Sequence, residues 1–353
     1  MSAEVMEEAR RQLQICNACR YCEGYCSAFP AITRLRAFAD ADITQIASLC
    51  HNCRGCYYAC QYTEPHEFAL NLPRALAEVR TESWTAYAWP APVASLFFRH
   101  AAATVVLTVL GFALIFLLAK SVPAGGGAGF YAVLSHNAMV AVFAPAFVLP
   151  LMAVAFGLRR YWHDVGGTRI SLAHLQEALG HAGRMRNLKG GHGDGCNFEQ
   201  EEQFTHARRW AHHAVMYGFL LCFASTSAGT VMHYGFSMPA PYGPLSLPKL
   251  FGVSGGVLLT AGCVWMMRLR HLASGDLSDK TTYGADTAFI ALLGFVAASG
   301  LALYAFGATP ALTVLLALHL GSVLSFFLLM PYTKMAHGFY RLAALIRDAQ
   351  QKD

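Results

Sequence analysis

The sequence predicts an all-α protein, a small cysteine-rich helical domain followed by a six-helix transmembrane bundle. Three observations predict it. The 353 residues are 55% hydrophobic and only 13% charged, against about 25% charged in a soluble domain. Six uncharged apolar runs of 18 to 21 residues recur along the chain. Eight of the eleven cysteines crowd into residues 16–60, ahead of the first of those runs.

The cysteines come first in the chain. Cys16, Cys19, Cys22 and Cys26 form one run, and Cys50, Cys53, Cys56 and Cys60 repeat it. Both read C-x2-C-x2-C-x3-C, the ligand run of a [4Fe–4S] cluster. Three cysteines three residues apart reach three corners of a cubane from one short curled backbone. The fourth, in two-cluster ferredoxins, ligates the other cluster. The expected sets are therefore Cys16, Cys19, Cys22 and Cys60, and Cys50, Cys53, Cys56 and Cys26. The usual C-P ending is absent, since the prolines fall later, at Pro30 and Pro65. Zinc or a disulfide framework would also use cysteines, but zinc favours two separated pairs over four in a row. The segments 34–48 and 72–82 read as helices, so residues 1–82 are expected to form a helical two-[4Fe–4S] ferredoxin domain.

Residues 83–100 carry Trp84, Tyr87, Trp89, Phe97 and Phe98. Such aromatics favour the headgroup layer, and the segment reads as an interfacial linker docking the cluster domain on the lipid bilayer. Ordinary packing aromatics are the alternative. The membrane domain is expected over 101–340, with apolar runs at 101–119, 138–158, 214–232, 250–267, 287–306 and 311–330. Each matches the roughly 20 residues that span a ~30 Å hydrocarbon core. Pro145 and Pro150 predict a kink in the second. Residues 341–353 read as a tail.

Basic residues set the orientation. Arg159, Arg160, Arg169, Arg184, Arg186, Lys189, Arg208 and Arg209 lie between the second and third runs. Arg268, Arg270 and Lys280 lie between the fourth and fifth, and Lys334, Arg341, Arg347 and Lys352 follow the sixth. The opposite loops hold only Lys120 and Lys249. With a polar, charged stretch at 1–14 and no secretory signal there, both termini and the cluster domain are expected on the cytoplasmic side of an inner membrane. The reducing cytoplasm also suits thiolate-bound iron. The net charge of +5 belongs to those loops, and no nucleic-acid partner is expected.

The histidines carry a second expectation. His319 lies in the sixth run and His337 lies 18 residues on, about five turns and roughly 27 Å along a continuous helix. Both rings would then share one face, one near each side of the membrane, although Pro331 falls between them, where a proline can bend the helix and change the angle. The third run repeats the arrangement, with His212 and His213 at its start and His233 at its far end. From His233 the angular offset is about 60° to His212 and about 160° to His213, so His212 is the better match. Antiparallel packing levels His212 or His213 with His337, and His233 with His319. Each pair has the donors for the two axial positions of a haem b, giving one or two haems. Intramembrane histidines are functional candidates by default; terminal ones also snorkel. His100 and His136, at opposite faces, do not pair with each other. Cys222 and Cys263 read as small apolar residues. Cys196, after the stretch 190–195, reads as a loop contact rather than a metal site with His181 and His192.

No G-x-G-x-x-G opens a helix after a strand, so no flavin or nicotinamide site is expected and substrate oxidation falls to another subunit. The chain reads as an electron carrier to membrane quinone.

Four stretches carry a family resemblance: Ile15 through Cys26; Gly195-Cys196-Asn197; Arg208 through His213 with Tyr217 through Phe223; and Met330-Pro331-Tyr332 through His337-Gly338 to Tyr340-Arg341. Together they resemble the tricarballylate-utilisation protein B family, also called citrate-utilisation protein B. The resemblance implies an iron–sulfur and haem b membrane protein whose partner is an FAD-dependent tricarballylate dehydrogenase. It implies that the chain reoxidises that flavin and passes electrons to quinone. The His319/His337 spacing also resembles the haem-bearing helix of nitrate reductase gamma-type subunits. Two rivals stand beside this reading: an electron-transfer subunit of a heterodisulfide-reductase-like or nitrate-reductase-like complex, and a membrane-anchored iron–sulfur redox sensor. The topology has a direct check. A reporter fused after Asp353 is expected to be active only in the cytoplasm, and periplasmic activity overturns the orientation.

Overall fold

A computed structural model describes residues 2–119, 133–198 and 203–352. Lys120, expected in the first far-side loop, lies outside them. The described residues form thirteen α-helices with short 3-10 turns and no strand, and Cys196 and Thr205 make an isolated antiparallel bridge.

The N-terminal domain is built from α1 (Ala3–Cys19), α2 (Phe29–Thr33), α3 (Asp40–Leu49), α4 (Gly55–Tyr58) and α5 (Leu72–Tyr87). Ser2 caps α1, its hydroxyl accepting from the Val5 N–H, and Asn71 does the same for α5 through the Arg74 N–H. In α1, Met6, Ala9, Leu13 and Cys16 are buried, the one-face stripe of an amphipathic helix. They meet Phe29, Ile32, Ile43, Ile46, Leu76 and Val79 in one core that also encloses Cys22 and Cys56. The helix expected over 34–48 begins only at Asp40. Ala39 is extended there, and its N–H donates to the Asp42 carboxylate (3.1 Å), an acidic start that suits the positive end of the helix dipole.

The six membrane helices are α6 (Ala91–Ala119), α7 (His136–Asp164), α9 (Ala207–Thr230), α10 (Leu247–Leu272), α11 (Tyr283–Phe306) and α12 (Leu312–Leu329). Each contains a stretch long and apolar enough to cross a membrane, which makes the chain a multi-pass membrane protein. α9 lies along α10 and α12 along α6, while α11 packs on α10, α12 and α6. Small residues allow the close pairs. A Cβ on Gly218 of α9 would stand 2.5 Å from the Leu259 backbone nitrogen of α10. α7 runs as one helix through Pro145 and Pro150. The non-helical residue sits in α6 instead, at His100 (φ −132°, ψ 33°).

Three expected boundaries shift. α5 continues to Tyr87 and α6 starts at Ala91, so residues 83–100 are mostly helix. Tyr87 and Phe97 are buried, and Trp89 is exposed; most of these aromatics pack inward. Most of the expected tail is helix instead: residues 341–350 belong to α13 (Ala336–Gln350), whose Tyr340, Ala343, Ala344 and Ile346 are buried against α3, α7 and α8 (Leu172–Gly183). The sixth span is not continuous with His337. Pro331 lacks the N–H that a helix needs, so α12 ends in a 3-10 turn, Met330–Tyr332, and α13 starts afresh. The 18-residue register between His319 and His337 is therefore broken.

The Gly218 contact is testable. Gly218→Leu forces α9 from α10, and overpacking of this kind costs about 1–3 kcal/mol. The purified protein is expected to melt several degrees lower in detergent, whereas Gly180→Ala, with open space at its Cβ, leaves the melting temperature unchanged.

Candidate functional site

Both cysteine runs sit where a helix ends and the backbone curls. α1 stops at Cys19 because Arg20 turns left-handed (φ 56°) and its N–H closes on the Cys16 carbonyl at 2.9 Å. In the second run Cys50 ends α3, Asn52 (φ 52°) and Arg54 (φ 67°) are both left-handed, and Cys56 lies in α4. All eight cysteines are free.

The two runs interleave. Burial, followed by the neighbouring thiols of Cys22, Cys60 and Cys19, pushes the Cys16 thiol well up. Burial and then Cys60 raise Cys22 to about 11. Burial raises Cys26 first, and its charged neighbours are Cys53 and Cys50 ahead of Cys22. Cys56 is raised by burial and then by Cys26, Cys53 and Cys22. Cys60 thus stands among the first run and Cys26 nearest the second, with Cys22 close to both. The Asn52 N–H donates to Cys50 Sγ (3.4 Å) and the Tyr62 N–H to Cys60 Sγ (3.3 Å), hydrogen bonds that favour the thiolate. Among the described residues no three His, Cys, Asp or Glu side chains converge as on a single metal ion. A four-iron cluster puts each thiolate on its own iron and asks for a looser set, so the donors present fit that group.

The second run is gripped from several sides. Arg80 of α5 donates to the Ala47 (3.0 Å) and Cys50 (2.8 Å) carbonyls. Arg341 of α13 also donates to Cys50 O (3.1 Å), and Arg208 of α9 to Asn52 O (2.8 Å). The Asn197 N–H donates to Cys53 O (3.0 Å). Phe198 lies beneath both Arg54 and Arg208, 4.6 and 4.0 Å from its ring centre.

Cys196, given no role from sequence, is 1% exposed and faces Cys53. Its thiol is the foremost influence holding the Cys53 thiol below the ordinary range, against the opposing effect of burial. The glycines before it were the available signal. Gly195 has φ +106°, and a Cβ there would stand 2.0 Å from the Thr205 carbonyl oxygen, so only glycine lets the segment fold back on α9's start. His192 and His181 are elsewhere, against Tyr25 and Arg186.

One turn beyond Arg208, His212 meets His337, their ring centres 5.8 Å apart. His212 Nδ1 is buried without a hydrogen-bond partner. His337 Nδ1 is held by the Lys334 carbonyl, which leaves Nε2 as its free nitrogen. Burial, then Arg341 and His212, hold His337 well below its ordinary pKa and keep it neutral, the form that ligates a metal. His213 turns away, against Trp210 and Tyr217, so His212 is the residue brought to His337. This near-side pair fits axial ligation.

The far side differs from expectation. His233 lies on a π-helical turn, Val231–Gly235, and stacks on His136 with centres 4.1 Å apart. His319 faces α11 and shares a 3.1 Å hydrogen bond with Ser299 Oγ. The contacts do not bring His233 and His319 together, and a second haem between them does not fit this arrangement. The sequence signal for this pair is depth, since His136 starts α7 at the level where α9 ends with His233.

A ferredoxin-type domain joined to a six-helix membrane domain defines the class. Residues 9–86 match the family model described as the citrate utilization protein B Fer4-like domain, and residues 91–353 match the model for citrate utilization protein B. The chain is 41% identical over 354 residues to citrate utilization protein B of Escherichia coli, covering 98% of this chain and 92% of that protein. It belongs to the citrate utilization protein B family. No solved structure matches it.

Cys53 offers the sharpest check. Cys53→Ala is expected to lower iron and acid-labile sulfide by about half per chain while the protein remains in the membrane; unchanged iron rejects Cys53 as a ligand.

Proposed function

We propose that this chain carries electrons from a flavoprotein, an FAD-dependent tricarballylate dehydrogenase, to membrane quinone. The observation that carries this reading is the seating of the second cysteine loop, itself next to the first, beside the His212–His337 pair at the ends of the membrane helices. Two [4Fe–4S] clusters and one haem b would supply one-electron carriers at these positions. Cys16, Cys19, Cys22 and Cys60 would hold the first cluster and Cys26, Cys50, Cys53 and Cys56 the second. His212 and His337 would be the haem's axial ligands.

The protein's own part is positioning and electrostatics. Arg80, Arg208 and Arg341 bring positive charge to the second set, and their carbonyl contacts fix its loop to the membrane domain. The Lys334 carbonyl orients His337. Burial of Cys16, Cys22, Cys53 and Cys56 limits water at half of the sulfurs. The basic loops support a cytoplasmic position for the cluster domain and both termini, within reach of a soluble flavoprotein.

A dithionite-reduced minus oxidised spectrum with pyridine haemochrome quantitation tests the reading. One b haem per chain is expected, lost in His337→Ala with the iron–sulfur absorbance retained. A full haem spectrum in that variant excludes His337, and no haem in the native protein removes haem from the route.

A further inference from the structure

A cavity of about 140 Å³ lies where the ferredoxin domain meets the ends of the membrane helices. A void of about 150 Å³ takes up a benzene-sized ring, so this one has room for a single six-membered ring. Its polar lining is unusual. Trp84, Arg208 and Arg341 all line it. Trp84 Nε1, Arg208 Nε, and Arg341 Nε and Nη1 are all buried with no hydrogen-bond partner. A buried donor left unpaired is costly, and buried polar groups in native proteins are nearly always satisfied. All four atoms are donors, so what completes them is an acceptor.

The rest of the lining narrows the chemistry. Ala94 and Phe98 belong to the first membrane span, and Pro331 closes the sixth. One wall is therefore apolar and lies at the membrane's edge. His51 and Asn52, on the opposite wall, belong to the second cysteine loop. Arg341 itself bonds Cys50 and sits beside His337. A ring-sized apolar ligand with carbonyl acceptors, reaching both carriers, matches all of these features.

We propose that this cavity binds the head group of a membrane quinone, its carbonyl oxygens accepting from Trp84 and Arg341. The assignment rests on quinone as the electron acceptor. Reduction there is balanced by two electrons delivered through the iron–sulfur clusters and two protons drawn from water on the ferredoxin side, giving the quinol.

The test is equilibrium binding of decyl-ubiquinone and of menadione to the purified full-length protein in detergent, followed by calorimetry. Saturable one-to-one binding of at least one is expected. It should weaken about tenfold in Arg341→Gln, the size of one lost charge-assisted hydrogen bond, and a few-fold in Trp84→Phe with iron, sulfide and haem contents unchanged. Native affinity in both variants overturns the site while leaving the quinone reading intact. Haem loss in Arg341→Gln with native quinone affinity in Trp84→Phe assigns the donors to a haem's carboxylates and also overturns it. Failure of both quinones to bind the native protein removes quinone as acceptor.

Discussion

Arg80, Arg208 and Arg341 converge on the backbone carbonyls of a single stretch, Ala47 to Asn52. They come from α5, α9 and α13, so three separate parts of the chain meet at the second cysteine loop. Buried guanidiniums are unfavourable unless hydrogen-bonded and balanced by negative charge. Enclosed cysteines, once deprotonated to hold iron, are equally unfavourable without cations. Each group makes the other tolerable, and two of the three guanidiniums, Arg208 and Arg341, come from the other half of the chain. The ferredoxin domain is thereby fixed on the membrane domain rather than tethered to it.

The same contact sets the histidines. Arg208 and His212 are four residues apart on α9, and His337 and Arg341 are four apart on α13. Residues at that spacing share one helix face. When each arginine grips the cysteine loop, the histidine one turn away must point into the same space. The two rings meet at 5.8 Å without needing one unbroken helix from His319. The break at Pro331 is what permits this, since α13 leaves the axis of α12 and turns its Arg341 toward α3.

Much of this was legible in the sequence because the signals are local. Cysteine spacing marked the two runs, apolar length gave the six spans, and helical angle favoured His212 over His213. What stayed hidden depends on chain meeting chain. The glycines before Cys196 signal a tight fold-back there, but not that its partner is Cys53, 143 positions earlier in the numbering. The pairing of His233 with His136 follows from how α7 and α9 lie at their far ends, which no periodicity encodes. Trp84 reads as a headgroup aromatic by composition, yet its ring stacks on Tyr340 because α13 folds back beneath it.

The two cysteine sets are not equivalent, and the difference bears on direction. Around Cys16, Cys22 and Cys60 the charged neighbours are other cysteines. Around the second set stand guanidiniums, and the Cys196 thiol and the Gly55 N–H both favour the Cys53 thiolate. Added positive charge and hydrogen bonds to sulfur stabilise the reduced, more negative state of a cluster and so raise its potential. With clusters in both sets, the second is the better acceptor. On the proposed route, transfer from the outer set to the set beside the membrane would then run downhill, and the arginines that fasten the domain to the bundle would be the residues that tilt it.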